Sequence, residues 1–244
     1  MLRISLLGLF FGTIGTTIGG IIGIISKRNS NRFLSFILAF ASGLMLAVVC
    51  FDLIPESLEI SSLTIVIVGI ILGIIVMTIC DILVDKKFNN SNSIKSSLLR
   101  TGIVVSIGLA LHNIPEGLAI GSGFDASNKL GISLAIAICL HDIPEGISMA
   151  IPMKNGGMSK MKVMFYVIMS GIATGIGAWI GAIIGTISVK VIAICLSFAA
   201  GAMLYIVSGE LIPESNKLYN GNMSILANIL GFLLGFIAIN IVTY

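Results

Sequence analysis

Two copies of one short motif, 29 residues apart, carry the side chains of this chain best suited to bind a metal ion. Each copy ends in Ile-Pro-Glu-Gly and begins with a histidine, at His112 and at His141. Residues four apart lie on one face of an α-helix, so each copy presents an imidazole beside a carboxylate. Both groups are ordinary ligands of divalent metals. The repeated motif therefore predicts a buried metal-ion site.

Six side chains are expected to converge at this site. At about 100° per residue, Asn113 and Asp142 each share the helical arc of their own motif. A short connection at 123–128 would make the two helices antiparallel neighbours. Nitrogen and oxygen donors without a thiolate suit Zn²⁺, Fe²⁺, Mn²⁺, Co²⁺ or Cd²⁺ better than Mg²⁺ or K⁺. We expect a metal bound as releasable substrate and no cofactor. The set is His112, Asn113, Glu116, His141, Asp142 and Glu145.

The composition places these motifs in a membrane. Apolar residues make up 57% of the 244 positions, charged residues only 10%, and the mean hydropathy is +1.11. That leaves too little polar surface for a water-soluble domain. The expected fold is all-α and polytopic, a single transmembrane domain over residues 1–244, because the alternating strands of a β-barrel are absent. Eight apolar stretches of about 20 residues fall at 4–25, 33–56, 63–84, 100–122, 129–151, 163–187, 190–213 and 223–243.

Basic residues cluster on one side of this predicted bundle. Eleven of the fourteen fall after the first, third, fifth and seventh spans. By the positive-inside rule that side is cytoplasmic, which predicts a multi-pass cell-membrane protein with both termini outside. The first span is expected to persist rather than to be cleaved as a signal peptide. The net charge of +3 reflects this topology, so the expected surroundings are a lipid bilayer, with no nucleic-acid partner. The eleven are Lys27, Arg28, Arg32, Lys86, Lys87, Lys95, Arg100, Lys154, Lys160, Lys162 and Lys217.

A second, longer repeat relates the two ends of the chain. Residues 40–57 align without a gap on residues 198–215, at an offset of 158, with eleven of eighteen positions identical. These are the second and seventh spans, which cross the membrane in opposite directions, so the repeat is inverted. We expect three spans at about 1–84 and three at about 163–244 around a central pair at about 100–151. This 3+2+3 inverted-repeat plan is typical of transporters.

The acidic residues occupy positions that need a physical explanation. Glu116, Asp142 and Glu145 are expected near mid-membrane, where each ionised carboxylate costs about 2.5 to 3.5 kcal/mol. Lys and Arg are missing from the middle of every predicted span, so we expect a visiting metal cation to compensate these charges. Two more carboxylate pairs are predicted near the membrane surfaces, Asp52 with Glu56 at the outer end of the second span and Glu210 with Glu214 at the inner end of the seventh.

Four prolines lie inside predicted spans, at positions 55, 115, 144 and 213. A proline cannot donate to the carbonyl four residues earlier, which predicts a kink within each metal motif. The freed carbonyls are expected to join a hydrated path. They belong to Phe51, Leu111, Leu140 and Gly209.

Three further features are expected to be structural. Glycines recur at small-xxx-small spacings on the first and sixth spans, which favours close helix packing within the chain. The alternatives are a homodimer interface and a surface along which helices slide. The four cysteines are expected to be free and to act as small buried hydrophobes. Residues 85–99 are expected to form a mobile cytoplasmic linker.

Taken together, the motifs and the eight spans resemble the ZIP (zinc and iron permease) family of metal-ion transporters, most closely its prokaryotic branch. The resemblance covers the whole chain and implies uptake of divalent transition metals, usually zinc, into the cytoplasm. It implies a primary site at His112, Glu116, His141 and Glu145, with Asn113 and Asp142 at a second one. It further implies that Asp52 with Glu56 receives the ion and that Glu210 with Glu214 releases it.

The sixth span departs from that family pattern. Some relatives supply an acidic ligand there, whereas residues 163–187 contain no carboxylate and Thr174 stands in its place. We therefore expect one strong metal site and a partial second one. The linker at 85–99 also lacks the histidine run of many eukaryotic relatives, so loop-based metal sensing is not expected.

Two other functions remain open at this point. An intramembrane metal-dependent hydrolase would need two histidines on one helix and a glutamate base, whereas each helix here has one histidine. A proton-coupled cation channel or antiporter could use the same carboxylates. Neither the energy coupling nor the choice between a channel-like and an elevator-like movement follows from these residues.

Overall fold

The computed structural model describes residues 2–26, 30–88, 93–126, 128–184 and 189–243. Lys27, Arg28 and Gly185 lie outside these ranges. The helix that carries His141 is described, whereas the side chain of His141 is not.

The described residues form α-helices, two of them extended by a π-helical turn. Within this part of the chain, eight helical spans are long and apolar enough to cross a membrane, which confirms the predicted number. The second span is α2, a π-helical turn and α3, and the seventh is α8, a π-helical turn and α9. The helices are α1 (Leu2–Ile25), α2 (Asn31–Val48), α3 (Ile54–Ile60), α4 (Leu63–Phe88), α5 (Ile94–Ala126), α6 (Asn128–Asn155), α7 (Lys160–Ile184), α8 (Val189–Tyr205), α9 (Ile212–Leu218) and α10 (Asn222–Thr243).

The two π-helical turns, Val49–Leu53 and Ile206–Leu211, lie directly before the two Ile-Pro-Glu-Ser segments. The amide of Ile54 donates to the carbonyl of Val49, and the amide of Ile212 donates to the carbonyl of Val207. A proline removes one regular helical hydrogen bond, and a bond that reaches five residues back widens the turn there. Around the other two prolines, α5 and α6 continue as α-helices.

The helices pack as two groups. The central group consists of α1, α5, α6 and α7, with α1 and α5 each lying against both α6 and α7. The flanking group consists of α2, α3, α4, α8, α9 and α10, in which α2 packs on α10 and α4 packs on α8. The two groups meet where α5 contacts α4 and α8 and where α6 contacts α2. We call this boundary the seam.

Several contacts recur at the offset of 158 found in the sequence. In the flanking group, the Ser57 hydroxyl donates to the Ala193 carbonyl at 2.9 Å, and the Ser215 hydroxyl donates to the Ser35 carbonyl at the same distance. The two donors, Ser57 and Ser215, are 158 residues apart, and so are the two acceptors, Ser35 and Ala193. Both ends of the chain therefore pack in the same register.

Glycines repeat this register in both groups. A side chain at Gly43 would strike the carbonyl of Asn228, and one at Gly201 would strike that of Ile70, again with both members shifted by 158. The glycine rows of α1 and α7 face neighbouring helices of the central group, which confirms packing within the chain as their use. The α1 contacts are Gly8 and Gly12 against α7 and Gly15, Gly19 and Gly23 against α6. A homodimer remains a prediction.

The expected linker at 85–99 is wrong in most of its length. Helix α4 continues to Phe88 and α5 begins at Ile94, so only four residues, 89–92, fall outside the described ranges between them. One contact that hydropathy does not reveal stabilises the two helices here, because the Arg100 guanidinium on α5 contacts the carboxylates of Asp81 and Asp85 on α4.

Candidate metal site

The imidazole of His112 lies between two carboxylates in the middle of the central group. Its Nε2 atom is 2.9 Å from Oε1 of Glu116, one turn further along α5, and 3.7 Å from Oε1 of Glu145 on α6. Metal ligands at about 2.0 to 2.1 Å in tetrahedral geometry stand about 3.4 Å from one another. The two distances from His112 lie on either side of that ligand spacing, so each carboxylate is close enough to share an ion with the imidazole.

These side chains are almost completely removed from solvent. Glu116 and Glu145 are 3% and 2% exposed, and His112 and Asp142 are fully buried. Two carboxylates in such surroundings carry a large desolvation cost unless a cation or hydrogen-bond donors offset it. The site is thus built from costly groups that a divalent ion would stabilise.

Asn113 is turned toward α7 rather than toward His112. Its amide nitrogen donates to the Ser170 carbonyl at 3.0 Å and lies 3.3 Å from the Ser170 hydroxyl. Its Oδ1 atom and the hydroxyl of Thr174, one turn further along α7, are both buried and have no hydrogen-bond partner among the described residues. Two buried neutral oxygen atoms, one on α5 and one on α7, are thus available as acceptors or ligands in this part of the central group.

Asp142 lies on the opposite side, where α6 meets α1. A side chain at Gly15 of α1 would strike the Asp142 side chain, so this glycine gives the carboxylate room against the helix. Among the described side chains, no group of three or more His, Cys, Asp or Glu residues has the arrangement of a complete metal site. The convergence of all six predicted ligands, which includes the His141 side chain outside the described part, stays a prediction.

The predicted outer carboxylates lie at the end of the second span that is opposite its basic beginning at Arg32. Asp52 is half-buried within the π-helical turn, and Glu56 is exposed at the start of α3. None of the four cysteines forms a disulfide, but the prediction that they are buried is wrong, because apolar spans also present side chains on their outer faces. Cys50 is exposed, and Cys80, Cys139 and Cys195 are half-buried.

Glu210 and Glu214 are buried near the C-terminal end of the seventh span, where they accept hydrogen bonds from side chains of α5. The Arg100 guanidinium donates to both carboxylate oxygens of Glu210, at 2.7 and 2.9 Å. The Ser97 hydroxyl donates to Glu214 at 2.7 Å. Hydropathy places Arg100 among the basic loop residues and gives no sign of this contact, because the pairing joins positions 110 residues apart.

Fold and site together define a class of protein: a multi-pass helical membrane protein with imidazole and carboxylate side chains buried between two central helices. Comparison with known proteins gives the family. Residues 85–243 match the family described as ZIP Zinc transporter. The chain is 31% identical over 246 residues to the zinc transporter ZupT of Akkermansia muciniphila, which covers 91% of both chains.

Two further relatives agree with this match. The zinc transporter ZupT of Enterobacter sp. (strain 638) is 31% identical over 219 residues, covering 85% of this chain and 84% of that one. The zinc transporter ZIP11 of Homo sapiens is 34% identical over 145 residues, covering 57% of this chain and 42% of that one. The chain therefore belongs to the ZIP family, which confirms the resemblance read from its motifs. It is a transporter and not an enzyme, so the hydrolase alternative is set aside.

Proposed function

We propose that this protein carries zinc, and more weakly other divalent transition metals, across the cell membrane into the cytoplasm. The observation that carries the proposal is the buried cluster in which His112 Nε2 lies 2.9 Å from Glu116 and 3.7 Å from Glu145. Imidazole and carboxylate donors favour Zn²⁺ and similar ions over Mg²⁺, which keeps its waters. The zinc transporter names of the relatives support the same substrate.

We further propose that the fold is a 3+2+3 inverted repeat whose basic end faces the cytoplasm, with both termini outside. Hydrogen bonds and glycine contacts related by the offset of 158 support the repeat. The basic residues after odd-numbered spans support the orientation. An inverted repeat gives two related halves that can exchange roles as a carrier opens to alternate sides.

The path we propose begins at Asp52 and Glu56, crosses the His112 and Glu116 cluster, and ends near Glu210. His141 and Asp142 complete the cluster from α6 in this proposal, with Asn113 and Thr174 offering neutral oxygens from α5 and α7. The exposure of Glu56 suits the outer end. The ion pair of Glu210 with Arg100, one of the basic residues, supports an exit at the basic end.

Flux through the purified protein tests this function directly. Protein reconstituted in liposomes that contain a fluorescent chelator should admit zinc with saturable kinetics, above the rate of protein-free liposomes. Cadmium, manganese, iron and cobalt should compete with zinc, and magnesium should not. Absence of metal flux would contradict the proposal. Cation flux independent of these metals would instead favour the proton-coupled channel or antiporter.

Replacing Thr174 with aspartate should create a stronger second metal site. The parent is expected to bind one zinc ion tightly and a second one weakly, because α7 offers there only a hydroxyl without a hydrogen-bond partner in the described part of the chain. A carboxylate at this position adds the missing charge. Zinc bound per protein at saturation, measured by equilibrium dialysis and elemental analysis, should rise from about one toward two, since each charged ligand strengthens binding.

The matched control is Thr174→Val, which removes the hydroxyl at nearly constant volume and should leave the strong site alone. Two fully occupied ions in the parent protein would show that the existing oxygens suffice for a second site.

A further inference from the structure

One guanidinium joins three carboxylates at the basic end of the molecule. Arg100 contacts Asp81 and Asp85 through Nη2 and Nε, and its Nη1 lies 2.7 and 2.9 Å from the two carboxylate oxygens of Glu210. Asp81 also accepts a 2.6 Å hydrogen bond from the Tyr205 hydroxyl. Arginine suits this place because its planar fork can bind several carboxylates at once.

Within the described part of the chain, the three carboxylate partners of Arg100 lie across the seam. Arg100 is on α5 of the central group, whereas Asp81 and Asp85 belong to α4 and Glu210 to the turn after α8. Two neighbouring hydrogen bonds cross the same boundary. The Thr101 hydroxyl donates to Glu210 at 2.9 Å and the Ser97 hydroxyl to Glu214 at 2.7 Å.

This polar cluster lies on the same face of α5 as His112. Thr101 precedes His112 by eleven residues, which is close to three whole turns and about 16 Å along the helix. Between Thr101 and His112, this face of α5 is packed with apolar side chains. Val105 and Leu109 are fully buried, and Gly108 lies against Met77 of α4 and Ile206 after α8. An ion moving from His112 toward the basic end would cross this layer and then meet carboxylates that are already paired with Arg100.

We propose that Arg100 is a tethered cation that closes the cytoplasmic end of the metal path by holding α5 against α4 and α8. The departing divalent ion competes with the guanidinium for the same carboxylates, so its arrival favours opening of the seam. This inference rests on the proposed transport function and on the proposed orientation. Removal of Arg100 leaves three neighbouring carboxylates without their shared cation, and their mutual repulsion separates the two groups of helices.

The test follows the accessibility of a buried reporter and requires no metal. Thr101 is only 2% exposed, so a cysteine at this position should react slowly with a water-soluble methanethiosulfonate reagent. The reporter cysteine is introduced into a variant in which the four native cysteines have been replaced. In detergent-solubilised protein, Arg100→Gln should accelerate the labelling of Thr101→Cys by at least ~10-fold, as expected when a charge-assisted bidentate contact is lost. Arg100→Lys keeps one charge without the fork, and an intermediate rate is expected.

Two controls separate this gate from a general loosening of the protein. Lys217→Gln removes a basic residue that contacts Glu214 from the same short helix, 3.5 Å away and without crossing the seam, so labelling should not change. A second reporter, Ser42→Cys, is fully buried where α2 packs on α10 and should stay slow in every variant.

An unchanged labelling rate in folded Arg100→Gln or Arg100→Lys protein would overturn the gate, and so would equal acceleration of both reporters. Because the assay contains no metal, its result is separate from the liposome test. Zinc flux together with unaltered labelling would refute the gate alone, and altered labelling without zinc flux would refute the transport proposal alone.

Discussion

Replacing Glu116 with glutamine should abolish most zinc transport while leaving the protein folded. The substitution keeps the size of a side chain that is 3% exposed and removes its negative charge beside His112. A charged oxygen ligand is lost from a water-excluded site, where its attraction for a divalent ion is far stronger than in water. We expect zinc affinity and uptake to fall by roughly 100-fold, or about 2.7 kcal/mol. Uptake into liposomes measures the transport rate, and titration calorimetry with zinc measures the affinity.

The effect on stability should have the opposite sign when no metal is present. Glu116 and Glu145 both approach the same imidazole nitrogen, so neutralising one of them relieves repulsion between two buried carboxylates. Zinc should raise the melting temperature of the parent and have little effect on that of Glu116→Gln, because a ligand stabilises only the protein that binds it.

The matched control for this experiment is Glu59→Gln, at an exposed carboxylate outside the proposed path. It should transport zinc at the parent rate and should show the parent's rise in melting temperature. Zinc uptake by Glu116→Gln at the parent rate would remove this carboxylate from the path.

The parts of the molecule that the sequence predicted are those set by local periodicity. Eight apolar stretches became eight spans because each one is long enough to cross the bilayer by itself. The pairing of His112 with Glu116 followed in the same way, since a spacing of four residues places both on one helical face. The packing role of the α1 glycines also needed only local information.

Features that depend on partners distant in the chain could not be predicted in this way. Hydropathy assigns Arg100 to a loop because it treats a charged turn as the end of a span. In the structure, carboxylates from α4 and from the turn after α8 pair with Arg100 inside the helical bundle. The turn of Asn113 toward Ser170 depends likewise on how α7 packs. The π-helical turns at Val49–Leu53 and Ile206–Leu211 leave the hydropathy pattern unchanged and so give no signal beyond the prolines that follow.

A large loss of stability is expected when a side chain is added at Gly177, where α7 packs closely on α5. A Cβ at Gly177 would strike the carbonyl oxygen of Ile114, immediately before Pro115 in the metal motif, and would lie 3.0 Å from the Cα of Gly117. Backbone atoms cannot move aside as the end of a flexible side chain can, so even alanine must push the two helices apart. Gly177→Ala should lower the free energy of unfolding by about 1 to 3 kcal/mol, the usual cost of overpacking. Thermal unfolding in detergent, followed by size-exclusion chromatography, measures this loss.

The inverted repeat predicts an equal loss of stability at a second glycine. Gly19, which precedes Gly177 by 158 residues, meets the Ile143 carbonyl and Gly146 on α6 in the same way, so Gly19→Ala should cost about as much. Gly209→Ala serves as the control, because its Cβ would meet the Tyr205 ring at 3.6 Å, an ordinary contact. Equal losses at Gly19 and Gly177 with none at Gly209 would support two equivalent helix crossings around the metal motifs. A large loss at only one of the pair would mean that the two halves differ in how tightly they hold the site.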